Sequence, residues 1–420
     1  MDANKVDILK NSLMDRLLKL QCHFTWNLLG EDVDIENVEE RLNDQIEFLP
    51  DALKHRMYNL LAYLKHLKGD HEEGILQLQK AEAHTQQSSI EEDTDHKKTV
   101  LYGNFAWVFY HQNQLNKSLT YVEKVETILK QYEVPPKKNT LLSDIYGEQG
   151  WTYLSFAGKY YQCAVMCFEK ALELDPEDPE LNSGYAMAVY RIEGFRLSKN
   201  TENKSFPLLE RAVRLNPRDT VLKVLLALKY LEMKAYDQGA ILIEQALQEQ
   251  PESPYVLRYV ATFYRRRKQI YKAIEILKKV LRLTPTSSNV YYQLGQCYKQ
   301  FIKIHYNTQQ KEEAIANAIF YSEKAVELNK SSVPAHILLA SVYMKANEHQ
   351  KAKEEFDKTL TMNDIWPEQK QELHFYWAKY LIHSRNSESE AVRHFNEVIK
   401  IQNQTWFREI AMKELQKLLN

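Results

Sequence analysis

The 420-residue sequence is short of the residues that interrupt helices: glycine occurs 11 times and proline 12 times, each near 3% and well under average usage. A collagenous or loop-rich chain is thereby excluded, and an abundance of Leu, Glu, Lys, Gln and Ala favours helix almost throughout. Cysteine is scarce, four copies without regular spacing, so a disulfide framework is excluded. No apolar stretch approaches 18 residues and no apolar segment follows Met1, which predicts a reduced, soluble, unsecreted protein with the cytosol as its compartment. Charge of one sign is lacking as well. Lys+Arg at 55 against Asp+Glu at 57 gives a net of −2, which excludes a uniformly basic coat. What is plentiful is tyrosine, with 26 copies.

Internal repetition decides the architecture. From Ala227 the chain reads Ala227, Tyr230, Gly239, Ile243, Ala246, Pro251, and the next unit reads Ala261, Tyr264, Ala273, Leu277, Val280, Pro285, with a spacing of 34 at every position. That is the period and the small/large pattern of a tetratricopeptide repeat, a helical hairpin with small residues where its helices cross. A further period gives Leu294, Gly295 and Tyr298, where an insertion at about 301–313 intervenes before Ala325, and another unit fits at Ala340, Tyr343, Ala352, Phe356 and Thr359. Upstream, Ala164, Phe168, Ala171 and Pro176 form a second-helix half, as do Leu209, Ala212 and Pro217 after a polar insertion near 199–205. Weaker units lie at 62–81, 106–125 and 378–398.

The sequence therefore predicts an all-α solenoid of roughly eight to nine hairpins, each burying its apolar face against its neighbours. Pro135-Pro136 must break a helix, and the insertion after Tyr298 is a second division, giving expected subdomains at 1–136, 137–304 and 305–420. The polar stretch 88–96 reads as a loop.

Signatures of catalysis are missing: there is no phosphate-cradling glycine loop, H-E-x-x-H, nucleophile elbow or C-x-x-C pair. No enzyme, cofactor or metal is expected. Cys163 and Cys167, one helical turn apart without a nearby histidine, read as core residues, and His66 and His71, five apart, are expected on different faces.

Charge distribution says more than the total. Between Arg191 and Ile304 there are 21 Lys+Arg against 10 Asp+Glu, a local net of +11, so the remainder carries −13. Within this basic segment Tyr255, Arg258, Tyr259, Thr262, Arg265 and Arg266 recur at helical spacing on one face. Guanidinium groups suit phosphates and tyrosine rings suit bases, which fits single-stranded nucleic acid. A solvated repeat surface that binds a protein ligand fits the same pattern, because Tyr230, Tyr264, Tyr298 and Tyr343 occupy ordinary repeat positions.

Longer motifs carry a family resemblance. Cys22-His23-Phe24-Thr25-Trp26-Asn27-Leu28, Asp44-Gln45-Ile46-Glu47-Phe48-Leu49 and the run from Asn59 to Gly69 resemble the interferon-induced tetratricopeptide-repeat proteins, the IFIT family. Gly103-Asn104-Phe105-Ala106-Trp107-Val108, Gly184-Tyr185-Ala186, Val189-Tyr190-Arg191, Val256-Leu257-Arg258-Tyr259 and Thr284-Pro285-Thr286-Ser287 extend it from about Leu13 to the last helix.

The resemblance implies a cytoplasmic antiviral effector without enzymatic activity that holds the 5′ end of single-stranded RNA, triphosphorylated or incompletely capped, in a basic groove inside the superhelix. Sequestered viral RNA would not be translated. Matched residue by residue, it implies that Arg41 and Gln45 contact the 5′ phosphates or first nucleotide. Trp151 would stack on a cap guanine, with Leu49 and Met187 flanking it. Arg191 would be the central phosphate ligand, and Tyr161, Phe195, Arg258, Tyr259, Arg265 and Gln293 would line the rest of the groove. The other branch of the family implies a protein scaffold that assembles with itself or with relatives and has no 5′-end specificity. Packing alone would also account for Trp151.

Departures from the family pattern are Ser155 and Thr262 where lysines are usual, Val221 for a tyrosine, Tyr292 for a histidine and Lys379 for an arginine. With the chain ending at Asn420, about one repeat and a helix earlier than in typical mammalian members, they predict a more open groove and a weaker or altered hold on the 5′ end.

Overall fold

A computed structural model describes residues 3–87, 97–196, 203–304, 308–362, 365–383, 387–403 and 405–419. Among them the chain forms twenty-one α-helices with short 3-10 turns and no strand. It divides into two compact units. The first comprises residues 1–189 and 207–217. It contains α1 (Ala3–Leu17), α2 (Ile35–Ile46), and the hairpins α3 (Asp51–Leu67) with α4 (His71–Gln87), α5 (Lys98–His111) with α6 (Leu115–Gln131), and α7 (Lys137–Phe156) with α8 (Tyr161–Leu174). Most of α9 (Pro179–Arg196) and α10 (Ser205–Leu215) follows, the remainder of both helices counting with the second unit.

The second unit, residues 190–206 and 218–420, holds five more hairpins. They are α11 (Thr220–Glu232) with α12 (Tyr236–Glu249), α13 (Pro254–Arg266) with α14 (Ile270–Leu283), α15 (Ser288–Ile304) with α16 (Thr308–Leu328), α17 (Val333–Lys345) with α18 (His349–Leu360), and α19 (Pro367–His383) with α20 (Glu388–Lys400). A final helix, α21 (Trp406–Leu419), packs on α20. Successive first helices touch in the order α11, α13, α15, α17, α19, the stacking by which tetratricopeptide repeats build one inner face from their first helices. No described helix is long and apolar enough to cross a membrane.

The scarcity of glycine has a structural counterpart at the hairpin turns. Five first helices end in the same way: the residue after the cap adopts a left-handed conformation and the next amide returns to the carbonyl three residues before the cap. Glycine performs this once, at Gly69 (φ 80°), while Asn113, Lys234, Lys268 and Asn347 adopt φ of 61–63°. The returning bonds run from Gln114 to Phe109, Ala235 to Tyr230, Gln269 to Tyr264 and Glu348 to Tyr343, at 2.8–2.9 Å. The repeat thus accepts roughly 1 kcal/mol of steric cost at each non-glycine turn because packing of the helix pair over-determines the geometry.

At the starts of helices, Asp219 accepts hydrogen bonds from the Val221 and Leu222 amides, and Ser253 precedes Pro254 in the first turn of α13. Repeat-position residues form the core of the second unit: Ala227, Ile243, Ala246, Ala261, Ala273, Leu277 and Val280 are all buried. The break at Pro135-Pro136 is present, with α6 ending at Gln131 and α7 beginning at Lys137.

The insertion at 301–313 falls largely within helices, α15 running to Ile304 and α16 beginning at Thr308. Two local expectations are corrected. Cys167 is buried but Cys163 is exposed, because residues four apart straddle the edge of the buried stripe of α8. His66 and His71 do meet, Nδ1 to Nδ1 at 3.1 Å, since the tight turn at Lys68 and Gly69 reverses the chain between them. The loop expected at 88–96 lies outside the described residues, as does most of the insertion near 199–205.

Candidate nucleic-acid interface

The candidate residues fall into two sets, one in each unit. In the first, Arg41 and Gln45 lie one turn apart on α2, and Leu49 follows the helix; all three are half-buried. The Arg41 guanidinium donates to the Ser155 carbonyl at 3.1 Å, near the end of α7. Ser155 is one turn beyond Trp151, so this bond brings Arg41 to the same face of α7 as the indole.

Trp151 is half-buried, meets Phe168 edge-on at 5.5 Å between ring centroids, and its buried Nε1–H has no hydrogen-bond partner among the described residues. Close helix approach explains that geometry. Gly150 and Gly184, one 34-residue period apart, both back onto Phe168; a Cβ at Gly150 would stand 2.9 Å from its ring and one at Gly184 would overlap it. The phenyl ring therefore wedges α8 against both α7 and α9, leaving Trp151 and, three residues after Gly184, the buried Met187 beside the wedge. Glu180, one further turn back on the same stripe of α9, is a desolvated carboxylate whose pKa is raised by burial; sequence reasoning overlooked it because one acid at a helix start is unremarkable by itself. Tyr161 opens α8 and is half-buried.

The second set is cationic and aromatic. Arg191 donates to the Tyr255 hydroxyl at 2.9 Å, and Arg258, nearly fully buried, lies over the same ring at 5.5 Å. Tyr259 closes on Tyr255 edge-to-face at 5.4 Å. Two guanidinium groups thus converge on one phenol. Burial alone would raise the Tyr255 pKa, but the charge of Arg191, the hydrogen bond with Tyr259 and the charge of Arg258 together hold the hydroxyl below its ordinary value, whereas Tyr259 is raised by burial and by Tyr255. Tyr255 was visible as part of the helical stripe on α13; its bond to Arg191, 64 positions away, was not.

Farther along α13, Thr262 approaches the Gln293 side chain at 3.5 Å, linking it to α15, while Gln293 donates to Asn289 at 2.9 Å. Arg265 is half-buried, its Nε has no hydrogen-bond partner among the described residues, and desolvation lowers its pKa. Phe195 belongs to α9, but its side chain lies outside the described residues. Among the described residues no group of three His, Cys, Asp or Glu is disposed to hold a metal ion.

Helical hairpins repeating at 34 residues, with cations and aromatic rings on first helices, define a tetratricopeptide-repeat protein of the binding class. A tetratricopeptide-repeat family model matches residues 333–364, and a model described as anaphase-promoting complex, cyclosome, subunit 3 matches 232–305. The chain is 40% identical to the human antiviral innate immune response effector IFIT1 over 97% of its own length and 88% of that protein. It also matches the solved human IFIT1 dimer with m7Gppp-AAAA at a TM-score of 0.90 and 39% identity, and the dimer with PPP-AAAA at 0.87 and 40%, covering 97% of this chain and 90% of each of those chains. The chain belongs to the IFIT family, and within it is similar in sequence and fold to IFIT1.

Proposed function

We propose that this protein binds single-stranded RNA by its 5′ end, triphosphorylated or incompletely capped, and acts in the cytoplasm by withholding viral RNA from translation. The observation that carries the reading is the convergence of Arg191 and Arg258 on Tyr255. A guanidinium held against a phenol has its planar fork fixed in direction, and that fork geometry suits phosphate oxygens. Arg265, with an Nε that no described residue satisfies, offers a further donor in the same unit. In the first unit, Trp151 presents an incompletely buried indole suited to stacking a base plane. The human relative solved with triphosphate and capped tetranucleotides lends the ligand class, at 40% identity.

One observation favours a scaffold reading instead: Ser155 stands where the family usually carries lysine, and its carbonyl is taken by Arg41. Binding of triphosphate, capped and 5′-hydroxyl RNAs of one sequence decides between the two. The RNA reading requires wild type to discriminate among them, Arg191→Glu to lose about 100-fold in triphosphate affinity, and Trp151→Ala to weaken the capped RNA most. Equal binding of all three RNAs, or an affinity that is flat with salt, leaves the scaffold reading.

A further inference from the structure

The inner face of the second unit continues past the residues already considered. On α15, Tyr292, Gln296, Lys299 and Lys303 recur at four, three and four positions and so share one stripe. Lys299 places its ammonium 5.3 Å from the centre of the Tyr376 ring on α19. Lys345, the last residue of α17, lies close enough to Lys299 and Lys303 for the three charges to repel one another. Among the described residues none of these lysines has a carboxylate within ion-pair reach. The acid facing Lys299 is Glu372 of α19, itself half-buried and one turn from Tyr376.

Burial followed by the charge of Lys345 depresses the Lys299 ammonium to about 8, and burial raises Glu372 to about 7. Neither charge is fully compensated by the other. A cluster of like charges on a crowded face is destabilising to the fold, which makes it a structural expense without an obvious packing return. An anionic ligand removes that repulsion, and rings interleaved with the cations select a polymer that carries planes as well as charges. An acidic peptide supplies the charge but has no use for Tyr292 and Tyr376. Arg265 of α13, an electrostatic neighbour of Tyr292, connects this patch to the Arg191, Tyr255 and Arg258 cluster.

We propose that Tyr292, Lys299, Lys303, Lys345 and Tyr376 form a downstream subsite for single-stranded RNA, engaging phosphates and bases beyond the 5′-terminal nucleotides, with Glu372 competing for Lys299. The inference rests on the RNA reading above but concerns strand length, not 5′ chemistry. Accordingly, a twelve-nucleotide RNA binds more tightly than its four-nucleotide 5′ fragment. Lys299→Ala with Lys345→Ala removes about three- to tenfold of that advantage, lowers the salt slope by about 0.7 for each phosphate that is no longer neutralised, and leaves the four-nucleotide RNA unchanged. Glu372→Gln, which keeps the side-chain shape, strengthens the long RNA alone and tests the idea even where the double variant folds poorly.

Fluorescence anisotropy with triphosphate and 5′-hydroxyl RNAs of both lengths separates the cases. A length advantage identical in all three proteins overturns the subsite. An acidic peptide whose binding depends on the two lysines, while the RNA length advantage does not, overturns it in favour of a protein ligand. If 5′ chemistry makes no difference but the twelve-nucleotide RNA still responds to the lysines, the 5′-end reading fails and the subsite stands.

Discussion

Ionisable groups are treated differently in the two units. In the first, His23 and Glu148 lie deep in the interior, each within a hydrogen-bonded network. His23 is buried between Asn104 and Thr152 at 3.1 Å from each side chain, and burial drops its pKa to about 3. Glu148 accepts from Asn59 at 2.7 Å, and burial raises it to about 7. In the second unit the inner face keeps charges that its own structure does not neutralise: Arg265 with an unsatisfied Nε, and Lys299 among other lysines. A polar group that completes a network rigidifies a fold, whereas an uncompensated cation on an inner face makes a surface ready for an anion. The glycine–phenylalanine wedge of the first unit and the arginine–tyrosine cluster of the second are the corresponding local devices, one for shape and one for charge.

The largest expected effect tests the wedge. Phe168→Ala should cost about 3–5 kcal/mol in the first unit, read by denaturant titration, while hydrogen exchange on α13, α15 and α17 stays unchanged. Equal loss of protection in both units would erase the distinction between them. Next comes Glu148→Gln, which preserves the acceptor for Asn59. Because the folded-state pKa of Glu148 is raised from 4.5 to about 7, its protonated form contributes stability that is complete below pH 4.5 and is lost as pH rises through about 7. The glutamine variant should therefore be more stable than wild type at pH 8, on the order of 2 kcal/mol, and equal to it near pH 4.5. Melting curves at the two pH values check the sign. The smallest effect sharpens the second device: Tyr255→Phe should weaken triphosphate RNA about fivefold, the equivalent of one hydrogen bond of about 1 kcal/mol, with little change in melting temperature. A large loss of stability with unchanged RNA affinity would make that hydroxyl a structural group like those of the first unit.

Much of the architecture was legible because it is periodic. The 34-residue recurrence from Ala227 through Pro285 places small residues at helix crossings, and those residues are buried as the period requires. Family motifs named Trp151, Arg191 and Arg258 as candidates; the structure sets Trp151 against Phe168 and brings both arginines to Tyr255. The contacts that set those side chains were not legible, since they join residues far apart in the chain: Arg191 with Tyr255, Arg41 with Ser155, Lys299 with Tyr376. His66 and His71 failed for another reason. Helical spacing does not hold across a turn that ends the helix, and the reversal at Gly69 brings together what an unbroken helix would separate.

The sequence by itself determined the fold class, the repeat period and the basic character of the segment between Arg191 and Ile304, because these follow from local propensity and from patterns that recur within 34 residues. Only the tertiary structure decided which charges are compensated. Desolvation and partner distance are properties of packed helices from different repeats, so whether a lysine is a solvated surface charge or an uncompensated cation on an inner face cannot be read from its neighbours in sequence.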